Sequence, residues 1–521
     1  MHHTEIFALA VLICAVAVGL ALLYNRITET VKIPAPVVFL LAAAVVSDFF
    51  PALEHVPVTT VQDVVTVALA VILFDGGMHI GWRRFRTSAA PIVLVGVAGT
   101  FLTTAAVAVL AHYVFGLNWL VAVLLGTALA PTDPAVVFSV LGKREIAGRP
   151  GTILEGESGA NDPVGIALMA SVLAVATTGA SGFGAVGAGV LDFVLQMVIG
   201  TAIGIVGGGG LLFVMRHWPL PSGALYPLRT LAGALAIYGV ATIAHGSGFL
   251  AVFIAGILLG DARAPYKKEV ERFHSALASL GEIVAFTVLG LTISLAALSH
   301  DGSLAIGVGL AALLAFVVRP LLVGGLLLPI RLRHNERAFI LWAGLKGAVP
   351  ILLGTFAFTA GIAGAHRLYD IIFVVVAFSV IVQGGLVPTI AGKLGVPMRT
   401  VDPEPFSLGV RFRHEPHALH RYVLRSGSPA DGSTINDLPL GEDFWISLVI
   451  RHGQLVNVSG ATTLQAGDEI VALADPEGEA DPGPLFLGES PAGEAKDAKP
   501  GPAPAPARWL HQLRDRGGRR R

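Results

Sequence analysis

The stretch GESGANDPVGIAL, residues 156–168, sets Glu157, Ser158, Asn161 and Asp162 at the head of an apolar run. A carboxylate with oxygen neighbours in a low-dielectric setting can hold a proton or a dehydrated monovalent cation, and the two occupants compete. The bland alternative is that Asp162 caps a helix that Pro163 begins. Span length decides against it. From Val164 to Ala176 the run covers roughly 20 Å at about 1.5 Å per residue, short of a hydrocarbon core about 30 Å thick. The helix must therefore extend back through 155–163. With Arg149 marking one membrane face, Asp162 falls roughly 20 Å in, near the midplane. Each bare charge at that depth costs about 3 kcal/mol, so it needs a partner or a task. Glu157 and Asp162, five residues apart, point about 140° away from each other on a helix and need no common partner. Ser158 and Asp162, four apart, face the same way.

Other charges lie inside apolar runs. In LLGTALAPTDPAVVFSVL, Pro131 and Pro134 interrupt the helix, with Thr132 and Asp133 between them. Asp133 is eight residues from Leu141, too deep for a short side chain to reach the interface. In LWAGLKGAVPILLGTF, Gly344, Gly347 and Pro350 weaken the helix around Lys346, which otherwise would snorkel to the surface. These two most disrupted runs lie seven spans apart and cross in opposite directions, as an inverted repeat of six spans, a spacer and six more would give. Half-helix ends meeting at midmembrane are electrostatically frustrated, and Asp133 and Lys346 have the signs to compensate them. Arg319, in AFVVRPLLVG, is the basic residue inside its span; it is expected to pair with Glu157, the alternative being that it reaches a loop. Asp75, eight residues from Arg83, is either interfacial or lines the cytoplasmic approach to the site.

The elements that must position these groups are membrane spans. Of 521 residues, 54% are hydrophobic and only 14% charged, against about a quarter charged in soluble domains, so the chain is polytopic. The 62 glycines suit close helix approach. The single cysteine, Cys14, excludes an internal disulfide and a cysteine metal site. The start, MHHTE, lacks a basic n-region, so the first run is expected to be retained. Thirteen candidate spans lie near 6–24, 34–50, 58–78, 89–114, 118–141, 153–177, 187–214, 228–245, 247–261, 276–298, 304–328, 338–362 and 369–392. Basic residues fall in alternate loops: Arg26 and Lys32; Arg83, Arg84 and Arg86; Lys143, Arg144 and Arg149; Arg216 and Arg229; Arg263, Lys267, Lys268 and Arg272; Arg331, Arg333 and Arg337. The other loops carry only Arg367. The positive-inside rule then places the N-terminus outside and everything after Lys393 in the cytoplasm.

The fold class is thus an all-α polytopic membrane domain, 1–400, followed by a small α/β cytoplasmic domain over 403–475. DFWISLVIRHGQLVNV alternates Phe444, Ile446, Leu448 and Ile450 and turns at HG; LQAGDEIVAL turns at Gly467-Asp468 into another short strand. From 476 to 521, Pro, Ala, Gly and charge predict a disordered tail whose basic end has at most a weak contact with anionic lipid. GIVGGGG, 204–210, lies inside a span and reads as helix packing rather than a phosphate loop.

APTDPAV, GESGANDP, FLAVFIAGILLG and GLKGAVPI, in that order, resemble the monovalent cation:proton antiporters of the NhaP type over about 20–395. The resemblance implies a NhaA-like fold of two inverted repeats, with two unwound helices crossing at midmembrane, a homodimer and elevator-like alternating access. It also implies that Asp162 exchanges proton and cation, surrounded by Asn161, Ser158, Thr132 and Asp133, and that Glu157–Arg319 is a structural pair. Lys346 stands where many relatives have Arg, and Asp75 where many have Glu; the Lys loses bidentate bonding. Residues 405–475, through GSPADGSTINDLPL and LQAGDEIVAL, resemble the TrkA-C (RCK-C) regulatory domain. That combination looks like the potassium/proton branch of the family.

The expected activity is exchange of K⁺ or Na⁺ for H⁺ in a bacterial cell membrane, contributing to pH homeostasis, with no cofactor and no nucleic-acid partner. Lipid and a possible small ligand at 403–475 are the anticipated partners. One exchanging carboxylate beside a neutral Asn161 predicts one proton per cation. The remote rivals are a gated cation channel and a rhomboid-like serine protease, for which GESG would supply Ser158 and AHGSG would supply His245 as base. Neither explains a lone midplane carboxylate between two broken helices. Selectivity between K⁺ and Na⁺ depends on cavity size and converging oxygens, which local sequence does not set.

Overall fold

The computed structural model describes residues 19, 35–49, 57–141, 144–146, 148–178, 183–298, 302–400, 419–440, 444–451, 454–474 and 483–487. Apart from Gly19, the first apolar run lies outside the described residues, as do Cys14 and the tail from 488 onward. Two compact units divide at Pro403/Glu404.

The first unit is helical. Helix α1 spans Ala35–Phe49. Helix α2, Val58–Val93, continues through a π-helical turn at Leu94–Ala98 into α3, Gly99–Tyr113. Next come α4 (Trp119–Leu129), α5 (Ala135–Leu141), β1 (Arg144–Ile146), α6 (Arg149–Thr177), α7 (Phe183–His217), α8 (Leu225–Ile243), α9 (Gly248–Gly260) and α10 (Lys267–Gly290). A short α11 (Leu295–Leu298) precedes α12 (Ser303–Leu313), which passes through a π-helical stretch at Leu314–Val323 into α13 (Gly324–Leu327). Then follow α14 (His334–Trp342), α15 (Ala348–Thr359) and α16 (Ala365–Phe378), joined by a second π-helical stretch, Ser379–Gly384, to α17 (Gly385–Leu394) and β2 (Met398–Thr400).

Among the described residues, six helical segments are long and apolar enough to cross a membrane: Val58–Tyr113, Arg149–Thr177, Gly184–His217, Lys267–Gly290, Ser303–Leu327 and Ala365–Leu394. Four shorter apolar helices among them lie at Val38–Phe49, Trp119–Leu129, Gly248–Gly260 and Ala348–Thr359. Val58–Tyr113 holds two of the anticipated spans, and the loop anticipated between them is instead a break at one residue. Gly81, at φ +63°, departs from helical geometry, and the chain is helical again at once. The Asp261 carboxylate accepts the Arg83 backbone N–H at 2.6 Å, capping the restarted helix. A Cβ at Gly81 would press on that carboxylate.

Lipid gives no hydrophobic drive to helix association, so backbone closeness must supply the contact energy. The α2–α9 crossing shows this. A Cβ on Gly77 would overlap the Phe253 carbonyl oxygen, and one on Gly256 the Phe74 carbonyl oxygen. The glycines of 204–210 divide similarly: Gly204 and Gly208 fit against α9 backbone at Ala251 and Ala255, whereas Gly209 and Gly210 face open space. That agrees with the packing reading of this run.

In the second unit, antiparallel strands in the order β3-β6-β4-β5 use Leu419–Val423, Glu469–Ala474, Phe444–Arg451 and Gln454–Val456. The simple alternation anticipated for β4 fails midway. A bulge between Ile446 and Leu448 shifts the phase, so Val449 is fully buried while Leu448 and Ile450 are half-buried. The turn at HG lies outside the described residues, whereas Gly467 takes φ +90° at its turn. Asp468 binds Arg451 through two 2.8 Å contacts, which hold the guanidinium still further into its charged range. The stretch read as an uninterrupted tail contains a short helix, α18 (Gly483–Leu487). There Phe486 is fully buried and stacks on Tyr422 at 5.0 Å, an aromatic contact that composition concealed.

Replacing Gly256 by Ala should cost about 1–3 kcal/mol, because the opposing atom is backbone and cannot swing away. Thermal unfolding of the purified protein checks this; Gly209→Ala should leave the midpoint unchanged.

Candidate functional site

The two interruptions meet. Helix α4 ends at Leu129 because Pro131 and Pro134 cannot continue it, and α14 ends at Trp342 before Gly344. The Asp133 N–H donates to the Leu345 carbonyl at 2.8 Å, joining one extended segment to the other. Four half-helix ends therefore face each other in the membrane interior, two with bare N–H groups and two with bare carbonyls.

Three side chains answer them. The half-buried Asp133 carboxylate accepts the Ala135 N–H at 2.9 Å and the Ala348 N–H, so one anion serves the N-termini of both α5 and α15. Lys346 Nζ donates to the carbonyls of Ala130 and Pro131, each at 3.0 Å, at the C-terminal end of α4. Arg319 serves the fourth end: Nε donates to Leu341 O at 2.9 Å and Nη2 to Ile340 O at 3.1 Å. The same guanidinium holds Glu157 bidentately, Nη1 to Oε1 at 2.7 Å and Nη2 to Oε2 at 3.0 Å. Local sequence pointed to the Glu157 contact but gave no signal for the carbonyl contacts of Arg319.

The glycines flanking Lys346 now have a steric reason. A Cβ at Gly344 would overlap the Arg319 guanidinium, and one at Gly347 would overlap the Asp133 carboxylate. The π-helical stretches at Leu314–Val323 and Ser379–Gly384 also supply site groups: Arg319 sits in the former, beside Pro320, and Ser379 in the latter accepts the Lys346 N–H at 3.0 Å.

On α6 the polar residues divide by face. Asn161 Nδ2 donates to Thr132 Oγ1 at 2.8 Å, and Thr132 lies 3.4 Å from Glu157 Oε1, so Asn161 joins the Glu157–Arg319 group rather than Asp162. Asp162 is buried, and its one hydrogen bond is a long 3.5 Å contact from Ser158. Its Oδ1, and Asn161 Oδ1, have no partner among the described residues. Ser158 thus bonds to Asp162 and not to His245, the arrangement a serine protease would require.

Asp162, Asp133 and Ser158 line a cavity of about 750 Å³. Asp75 lines it too, buried, accepting Ser275 Oγ at 3.2 Å with His79 Nδ1 at 3.3 Å. Arg84 and Arg149 lie on the wall as well. Two further carboxylates, Glu155 and Glu282, share this wall and were absent from the sequence-derived set. Both were findable. Glu155 is on the helical face of Ser158 and Asp162, and Glu282 is the acidic residue inside the anticipated span 276–298. The same test flags Asp192, in the span 187–214, which accepts Ser171 Oγ and Gln196 Nε2, each at 2.7 Å. No group of residues that could hold a resident metal was found among the described residues.

Interrupted helices crossing around buried charges, beside a membrane-embedded cavity, define an ion carrier rather than an enzyme. The fold is shared with the sodium proton antiporter MjNhaP1 from Methanocaldococcus jannaschii, at a TM-score of 0.63 and 22% identity, covering 74% of this chain and 98% of that one. Residues 11–393 match the family model for the transmembrane sodium/hydrogen exchanger, and residues 419–481 match the TrkA-C domain. The chain belongs to the sodium/hydrogen exchanger family, among the NhaP-type cation:proton antiporters, and carries a TrkA-C domain. It is 33% identical to the K(+)/H(+) antiporter NhaP of Alkalimonas amylolytica over 413 residues, 78% of this chain and 71% of that protein. It is 31% identical to the K(+)/H(+) antiporter NhaP2 of Shewanella sp. (strain ANA-3) over 471 residues, 89% of this chain and 80% of that protein. Identity to the Na(+)/H(+) antiporter ApNhaP of Aphanothece halophytica is 26% over 346 residues, 64% of this chain and 65% of that protein.

Glu157→Ala leaves Arg319 buried without its counter-ion and should cost about 3–5 kcal/mol, read as a lower thermal midpoint and folded yield. Asp162→Asn should leave both unchanged, since only the 3.5 Å Ser158 contact is altered.

Proposed function

We propose that this antiporter exchanges K⁺ for H⁺ at Asp162, one for one. The observation that carries this reading is the charge balance around the crossing. Asp133 and Glu157 are matched by Lys346 and Arg319, and all four are occupied with helix ends or with each other. Asp162 is the additional charge, with one oxygen unpartnered and a cavity before it. Such a carboxylate is stable only when a proton or a cation neutralises it, and that mutual exclusion is the basis of exchange. Ser158 offers the cation a further oxygen, with Thr132, Asn161 and Asp133 holding the surrounding frame. A single exchanging charge gives electroneutral transport.

Alternating access follows if the group carrying α6 and the two interrupted helices slides as an elevator against the remaining helices, arranged as inverted repeats in about thirteen spans. The cavity reaches Arg84 and Arg149, which the positive-inside rule assigns to the cytoplasm, so this conformation faces inward, with the N-terminus outside. A homodimer in the bacterial cell membrane, with residues 403–475 as a ligand-responsive regulatory domain, completes the reading. The choice of K⁺ rests on the relatives at 31–33% identity named for K⁺; the relative named for Na⁺ stands at 26%. Na⁺ (or Li⁺) exchange at the same site is the second reading.

The test is exchange in proteoliposomes loaded with a pH-sensitive dye, K⁺ and Na⁺ gradients being compared across pH. K⁺ should drive the larger proton flux, and Asp162→Asn should reduce it to that of empty liposomes; normal exchange by that variant would overturn the role of Asp162. Voltage-sensitive recording should register no transport current while the pH changes; a robust current would overturn the one-for-one stoichiometry.

A further inference from the structure

Helix α10 turns a polar stripe toward the cavity: Ser275, Ser279 and Glu282, with Ala278 and Phe286 on the same face. The spacing is helical, so Glu282 lies about 10 Å further along the axis than Ser275. Ser275 holds Asp75, which marks one level of the wall. Glu282 lines the same cavity as Asp133 and Asp162. Its Oε1 is shut off from bulk solvent, and Glu282 has no hydrogen bond or ion pair among the described residues. The charged group whose field acts on it is Asp133, of like sign. A carboxylate in this position is costly unless an ion neutralises it.

Its helix packs mainly on α1 and α2. Gly290 of α10 packs on the Leu40 carbonyl of α1, and Gly281 packs on Ala68 of α2. Asp162 rides on α6, whose Gly165 packs on Pro131 of the interrupted segment.

We propose that Glu282 is a further cation-binding carboxylate of this antiporter, receiving the monovalent cation from the cavity and passing it to Asp162. This rests on the reading of Asp162 as the exchange site. Glu282 stays with α1 and with the part of α2 before Gly81 when α6 moves, so its charge aids binding only while the cavity is open. It does not travel with the ion, and the one-for-one stoichiometry is unchanged.

Exchange is measured against K⁺ concentration in right-side-out and everted membrane vesicles carrying the full chain. Glu282→Gln should raise the half-saturating K⁺ about tenfold on one face only, the scale of removing one carboxylate charge from the cavity that receives the cation, at an effective dielectric near 20. Glu282→Asp, which keeps the charge, should stay within about twofold of the parent. An unchanged K⁺ dependence in Glu282→Gln overturns the inference, as does an equal shift on both faces or an equal shift in the Gln and Asp variants. Asp162→Asn separates the two readings. If it abolishes exchange while Glu282→Gln changes nothing, this inference alone fails; if it exchanges normally, the site reading fails and this inference with it.

Discussion

An interrupted helix inside a membrane must have its broken ends satisfied by protein, because lipid offers no hydrogen bonds. Everything at the centre of this molecule answers that constraint. Asp133 serves two N-terminal ends, Lys346 one C-terminal end and Arg319 the other. The extended segments are thereby held together without any regular structure of their own. Glu157 balances the charge that Arg319 brings in.

That arrangement restricts which carboxylates at the crossing remain uncommitted. Glu157 and Asp133 are consumed in holding the frame, and Asn161 turns to Thr132. Asp162 retains only a long contact from Ser158 and faces the cavity. At the crossing itself the frame is internally neutral, and Asp162 is the charge it leaves uncommitted.

The packing is shaped to the same end. Gly344 and Gly347 are required because the Arg319 guanidinium and the Asp133 carboxylate fill the space a side chain would take. Away from the crossing, Gly77 and Gly256 bring α2 and α9 into backbone contact, and Asp261 caps the helix that restarts after Gly81. The π-helical stretches at 314–323 and 379–384 widen the helix where Arg319 and Ser379 must reach the crossing segments.

The sequence by itself determined the membrane class, the helical runs from 34 to 392, the two interruptions and the burial of Asp162 inside a helical run. These follow from local quantities: apolar length, proline and glycine position, and the cost of a charge inside a span, which holds however the span packs. It also pointed to Glu157 and Arg319 as a pair, since few buried charges were left to match. The tertiary structure alone decided the second task of Arg319, the orientation of Asn161, the kink at Gly81, the β4 bulge, the burial of Phe486 and the presence of Glu155 and Glu282 on the cavity wall. Each depends on atoms from distant segments; Arg319 and Glu157 are separated by 162 positions. Local periodicity states which face a residue takes on its own helix, but what stands opposite that face is set by how the helices pack.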